Sequence, residues 1–174
     1  MKHRMLVPLA WLIAAGSIAA AQGSPTGVRA DMLAQFDDAA GKIAQLAAAI
    51  GQDKYSWRPT GARSVSEVLM HVVGGNYYVL SFAGVQPSKQ LPRDAEKTIT
   101  DKAQVAAELQ ASFDHVRAAI AKLSDGDLDK KVTMFGQPST IRNVYLTTVT
   151  HAHEHLGQLI AYARSNGVVP PWSN

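Results

Sequence analysis

Val105-Ala-Ala-Glu-Leu109-Gln-Ala-Ser-Phe113-Asp-His-Val116-Arg-Ala-Ala-Ile120-Ala-Lys-Leu123 carries its apolar residues at steps of three and four. That spacing lays them along one face of an α-helix and leaves the charged residues on the other. Thr98-Ile99-Thr100-Asp101 introduces the segment. Three further stretches read the same way. The first runs from Val28 to Ile50 through Leu33, Phe36, Ala40, Ile43 and Ala47, with Gly51 ending it. The second opens on Ser64-Val65-Ser66-Glu67, which has capping-box spacing, and continues through Val68, Leu69, Val72 and Tyr78 to about Phe82. The last begins near Ser139 or Thr140, after Pro138, and reaches Asn166, with Gly167 as cap and Pro170-Pro171 blocking continuation. The stretch from Lys130 to Gln137 has some extended character through Val132, Met134 and Phe135, but no partner strand is evident. Four long helices without a convincing sheet predict an all-α fold, a four-helix bundle.

The N-terminus reads differently. Lys2 and Arg4 precede an apolar run from Leu6 to Ile18, and Ala19-Ala20-Ala21 offers a small-residue cleavage site before Gln22. The apolar run is shorter than the roughly 20 residues that span a bilayer. The expected organisation is a signal peptide over 1–21, a linker over 22–27 and a bundle domain over 28–174. Such a chain is exported to the periplasm or secreted, with no stable membrane anchor after cleavage. A lipid anchor on cysteine and the twin-arginine route both lack their residues.

Losing Lys2 and Arg4 would remove two of the three net positive charges, and no basic block remains, so nucleic acid is not an expected partner. The chain has no cysteine, which excludes disulfides, thiolate ligands and a Cys nucleophile. Any metal must be held by nitrogen and oxygen. About 150 mature residues bury enough core to fold without one.

The chemistry-bearing stretch is His151-Ala-His-Glu-His155-Leu-Gly-Gln158. His151 and His155 stand four apart on one helical face, about 6 Å between Cβ atoms, while His153 points away from them. A third candidate is His71, on the apolar face of the second helix with Val72 and Gly75, four residues after Glu67. A histidine there needs a partner, and either a hydrogen bond or a metal would supply it. Three imidazoles with an open position form the catalytic kind of zinc site. Gln158 can look into the same cavity, to bond water or substrate or to bridge helices. Glu154 borders it, as a base or as a solvated carboxylate. The protease motif H-E-x-x-H is absent, because its second histidine would fall at Gly157. A di-iron bundle needs Glu-x-x-His pairs, yet Glu67 is followed at that spacing by Met70 and Glu154 by Gly157. His115 is expected at the core boundary, and Trp57 and Tyr77 as packing anchors.

Taken together, Trp57-Arg58-Pro59, Ser64-Val-Ser-Glu67-Val-Leu-Met-His71 and His151-Ala-His-Glu-His155-Leu-Gly157-Gln158 resemble the DinB family of metal-binding four-helix bundles. The likeness spans about Val28 to Trp172. It implies an up-up-down-down type of connection and a His71, His151 and His155 triad on a divalent cation, zinc or nickel foremost. Relatives of that family include bacillithiol- and mycothiol-dependent transferases and metal-dependent hydrolases. Export argues against free-thiol chemistry, which makes metal-assisted hydrolysis of a small molecule the expected activity. The alternatives are a stress-related or metal-binding bundle without turnover, and a thiol-dependent S-transferase. A homodimer is compatible with so alanine-rich a bundle.

Overall fold

The computed structural model describes residues 24–173, so the leader read at 1–21 lies outside the described residues. Five α-helices and one hairpin follow in the order α1 (Val28–Ala49), α2 (Val65–Ser81), α3 (Ala95–Thr98), α4 (Lys102–Lys122), β1 (Lys131–Met134), β2 (Gln137–Thr140) and α5 (Ile141–Ser165). The four long helices form the bundle, and the fold is all-α. No helix among the described residues is long and apolar enough to cross a membrane.

The helix boundaries follow from capping chemistry. Ser64 accepts a bond from the Glu67 amide while the Glu67 carboxylate accepts from the Ser64 amide at 2.7 Å, completing the capping box. Asp101 and Thr140 cap α4 and α5 by accepting from the amides of Gln104 and Asn143. At the far end of α5, Gly167 adopts a φ of 73°. Its amide donates to the Arg164 carbonyl and the next amide, of Val168, donates to Ala163, which is the Schellman arrangement. Gly51 works otherwise: its φ is −67°, and the chain already leaves α1 at an extended Ile50.

Inside, the stripe Val105, Leu109, Phe113, Val116, Ile120 and Leu123 is buried throughout. Phe113 meets Phe36 of α1 edge to face, with centroids 5.9 Å apart. α1 and α2 each pack against both α4 and α5, so α1/α2 and α4/α5 are the diagonals of the bundle.

Cross-helix bonds fix the directions. Arg29, at the start of α1, donates to the Leu123 carbonyl beyond the end of α4, and Lys102, at the start of α4, reaches the carbonyls of Ala48 and Ile50. These two helices are antiparallel. Asn76 donates to Ser112, and Tyr77 stacks on His115 further along both helices, so α2 and α4 run parallel. Tyr162, late in α5, bonds the Arg63 carbonyl just before α2, while His151 lies against Gly75, so α5 opposes α2. The connection is therefore up-down-down-up and corrects the up-up-down-down order. Its cause is the long crossover over 82–101. About 20 residues reach far beyond the roughly 26 Å length of α2 and return the chain to its starting end.

The segment after α4 also departs from expectation. β1 pairs antiparallel with β2, Lys131 opposite Thr140 and Met134 opposite Gln137. Phe135 and Gly136 form the two-residue turn, with φ values of 51° and 78°, as a type I′ hairpin requires. The partner strand escaped notice because Gln137-Pro-Ser-Thr140 has no apolar alternation, and a proline on an edge strand gives up no ladder bond.

The capping box carries a testable weight. Ser64→Ala leaves the Glu67 amide without its acceptor and should cost about 1 kcal/mol of stability in chemical denaturation, without changing the slope of the transition.

Candidate metal centre

Two turns into α2, His71 faces α5, where the i, i+4 pair His151 and His155 faces back. One ring nitrogen from each can be chosen so that all three lie within 4.8 Å of one another. The ring centroids are 4.5 Å apart for His151 and His155, 4.9 Å for His71 and His155, and 5.2 Å for His71 and His151. The structure thus brings together the three histidines that the sequence singled out.

Each outer nitrogen of two rings is held in place. His71 Nδ1 lies 2.6 Å from Glu96 Oε1, and the other Glu96 oxygen accepts from Arg63 Nε at 3.0 Å. His155 Nδ1 lies 2.9 Å from Gln158 Oε1. The Gln158 amide nitrogen donates to the Tyr162 hydroxyl at 2.9 Å, which donates to the Arg63 carbonyl at 3.1 Å. With acceptors outside, both rings carry their proton on Nδ1 and turn a lone pair at Nε2 inward. This is how metal-ligating histidines are oriented by their outer partners.

His151 completes the group by close packing. A Cβ on residue 75 would lie 2.9 Å from His151 Nδ1 and closer still to Cε1, so only glycine leaves room for the ring. His151 Nε2 is 3.1 Å from His155 Nε2. Two nitrogens on a tetrahedral zinc stand about 3.3 Å apart, so the spacing suits a shared ion. His151 Nδ1 is buried without a hydrogen-bond partner. Burial, then the neighbouring His155, His71 and Arg63, push the His151 pKa down to about 4. Burial also lowers that of His155, against the opposing bond to Gln158. Both rings are neutral at pH 7, the form that ligates. Burial disfavours the charged Glu96, but the bonds from His71 and Arg63 outweigh it and hold its carboxyl below the usual range. Three imidazoles and no thiolate fit a borderline divalent ion.

Of the other residues weighed, Gln158 is in place as an orienting partner. Glu154 is exposed on α5 and makes no bond among the described residues, although its charge raises the proton affinity of His155. His153 turns to α1, its Nε2 lying 3.0 Å from the Gln35 carbonyl. Glu67 is occupied by the Ser64 amide and by Arg58 at 3.1 Å, so it is not available as a ligand. Trp57 packs edge to face on Tyr162 at 5.3 Å, as an anchor. Sequence reasoning missed Glu96, Arg63 and Tyr162. It passed over Gly75 as a space-maker, although a glycine four residues beyond His71, inside a helix, costs about 1 kcal/mol and demands a reason.

Comparison with known proteins agrees with this architecture. The sequence model of the DinB superfamily matches residues 35–159. A crystal structure of a DinB-like protein from Bacillus cereus ATCC 10987 superposes with a TM-score of 0.69 at 17% identity, covering 82% of this chain and 95% of that one. A DinB-like protein from Bacillus subtilis, YjoA, gives 0.60 at 20% identity, covering 79% and 92%. At these identities the structures attest to the fold. No curated protein matches the chain.

Two outcomes follow from the geometry. Gly75→Ala should displace His151 and weaken metal affinity at least about tenfold, and Glu96→Gln should weaken it about 10–100-fold, both by competition with a chromophoric chelator. In the metal-free protein, His151 has a folded pKa near 4 and an ordinary unfolded value near 6.5. As pH falls through that window the unfolded chain takes a proton that the folded one refuses, and stability is lost. The loss should be on the order of 1–2 kcal/mol once the ring's partial exposure is allowed for, with a flatter thermal profile for His151→Asn.

Proposed function

Since the chain belongs to the DinB superfamily, we propose that it binds one divalent cation, zinc or nickel, through His71, His151 and His155 and uses it to hydrolyse a small molecule. The observation that carries the reading is the convergence of three inward nitrogens whose outer partners already fix their orientation. A divalent ion held by three imidazoles with an open position supplies Lewis acidity and lowers the pKa of water towards neutrality. The chain's own residues do the rest. Glu96 and Gln158 orient two of the rings, and Gly75 lets the third approach. Glu154, with no bond of its own among the described residues, is the carboxylate free to take up a proton. Export, supported by the leader pattern at 1–21, goes with this reading and against a free-thiol co-substrate.

A second reading, metal binding without turnover, has one observation in its favour. Both oxygens of Glu96, the carboxylate bonded to the site, are already committed to His71 and Arg63.

Elemental analysis of the purified mature protein after supplementation should give about one equivalent of metal. His71→Ala, His151→Ala and His155→Ala should each lower it sharply while the bundle stays folded, and His153→Ala should leave it unchanged. Less than about a tenth of an equivalent would end the metal reading. Turnover of p-nitrophenyl esters or phosphates that disappears with chelator and with His155→Ala supports the hydrolase. Stoichiometric metal without turnover supports the second reading.

A further inference from the structure

Between α2 and the crossover lies a cavity of about 330 Å³, a volume that suits part of a small organic molecule. It begins one helical turn from the triad. Gly74, which lines it, follows His71 by three residues and adjoins Gly75, on which the His151 ring rests. Tyr78 lines it as well. At seven residues from His71 it stands on the same helical face, roughly 10 Å further along the axis. The His71 side chain keeps 27% of its surface exposed, so the triad meets solvent along this strip of α2. Pro87 and Leu91 of the crossover close the cavity on the other side.

The lining selects against charge. No carboxylate lines it among the described residues, and its one cation, Lys89, lies 2.7 Å from the buried carboxylate of Glu108. The Ser81 hydroxyl donates to the Tyr78 carbonyl at 2.6 Å, and the Tyr77 hydroxyl is buried. Gln90 adds an exposed, uncharged amide. A charged group entering here would give up water without gaining a free counter-ion, whereas a hydrophobic group gains by leaving water.

Two local features keep the cavity walled and open. Tyr78 is 59% exposed, yet its ring is braced by Phe82 at 5.1 Å and Phe135 at 6.1 Å. Phe135 reaches it from a left-handed backbone with φ of 51°, where a bulky residue is strained, and is itself 55% exposed. Burial of these rings does not account for the strain; a fixed aromatic wall does. Gly74 is the second feature. Unlike Gly75, it would meet no atom within 4 Å if it carried a Cβ. Glycine inside a helix is unfavourable relative to alanine, so packing supplies no reason for it. Its bare backbone keeps the floor of the cavity clear beside His71.

We propose that this cavity receives an uncharged hydrophobic group of the molecule whose reactive end sits at the triad, with Gly74 as floor and Tyr78 and Leu91 as walls. These residues then set specificity, directing the site to substrates that carry such a group rather than a charged one. The inference rests on the metal reading of the triad.

Metal-directed hydroxamates test it by binding, without reliance on turnover. The zinc-loaded mature protein is titrated calorimetrically with three of them. Acetohydroxamate offers the metal-binding head alone, 3-phenylpropionohydroxamate adds a hydrophobic group, and succinic monohydroxamate adds a carboxylate instead. The phenyl compound should bind at least about tenfold tighter than acetohydroxamate, and the carboxylate compound no tighter. Tyr78→Ala should shrink the gain, and Gly74→Leu, which fills the floor, should abolish it. In both variants zinc stoichiometry and acetohydroxamate affinity should hold. Gly74→Leu should also raise thermal stability, because leucine is the better helix former, so its effect is not one of unfolding. Val169→Ser, at an exposed apolar residue outside the cavity, should change nothing. Equal affinity for the phenyl and methyl compounds, an equal gain from the carboxylate, or a gain that survives Gly74→Leu overturns the subsite and leaves the metal site standing. Zinc-loaded protein that binds none of the three also overturns it. A protein that takes up no zinc fails the metal reading itself, and the subsite falls with it.

Discussion

The His151 ring occupies the space that a side chain on residue 75 would fill, and this close passage of α5 over α2 governs the geometry of the whole site. Helix axes ordinarily pack 8–10 Å apart, the distance being set by the side chains at the contact. A glycine at the crossing lets an imidazole lie directly on the opposing backbone. His155, one turn later on α5, then comes level with His71. A bulkier residue at 75 would push the His151 ring aside, and the i, i+4 pair would no longer present both nitrogens to His71. The intrinsic helix cost of the glycine is thus offset by what it allows across the interface.

Arg63 ties the arrangement together from outside. Its guanidinium holds Glu96, which holds His71; its carbonyl receives Tyr162, which receives Gln158, which holds His155. One residue immediately before the α2 capping box therefore anchors the partners of two rings on two different helices. The Arg63 and Glu96 side chains are partly exposed, so their pairing orients the rings more than it stabilises the fold. Here it is complete for His71 and His155. It leaves His151 Nδ1 alone without a bond, at the place where the glycine admits the ring.

What could be read from the sequence divides along physical lines. The long helices and the inward histidines announce themselves through the 3.6-residue period, as the buried Val105-to-Leu123 face shows. Ser64 and Gly167 are legible because caps require particular residue types. Glu96 is not legible, because it sits in a helix of four residues within a crossover, where periodicity has nothing to act on. Arg63 contributes through a main-chain carbonyl as much as through its side chain, and carbonyls carry no sequence signal. Helix direction was missed for a related reason: the length of 82–101 permits a parallel return without requiring one. The hairpin was half-read, since Val132 and Met134 suggested a strand while its polar, proline-containing partner did not.

The crossover over 82–101 has one further consequence. Its first residues, Ala83, Val85, Gln86 and Ser88, line a cavity of about 800 Å³ between α4 and the start of α5, and its later part delivers Glu96 to the histidines. The imidazoles are fixed on helices whose spacing tolerates little change, but this ribbon contains more chain than the return journey needs. Lengthening such a connection is thermodynamically mild, about 0.6 kcal/mol for each doubling of a flexible loop. The two halves of the molecule therefore differ in how freely they can vary. The bundle holds a fixed set of donors, while the ribbon can be rewritten to change both the acidity behind His71 and the shape of that cavity, leaving the helices undisturbed.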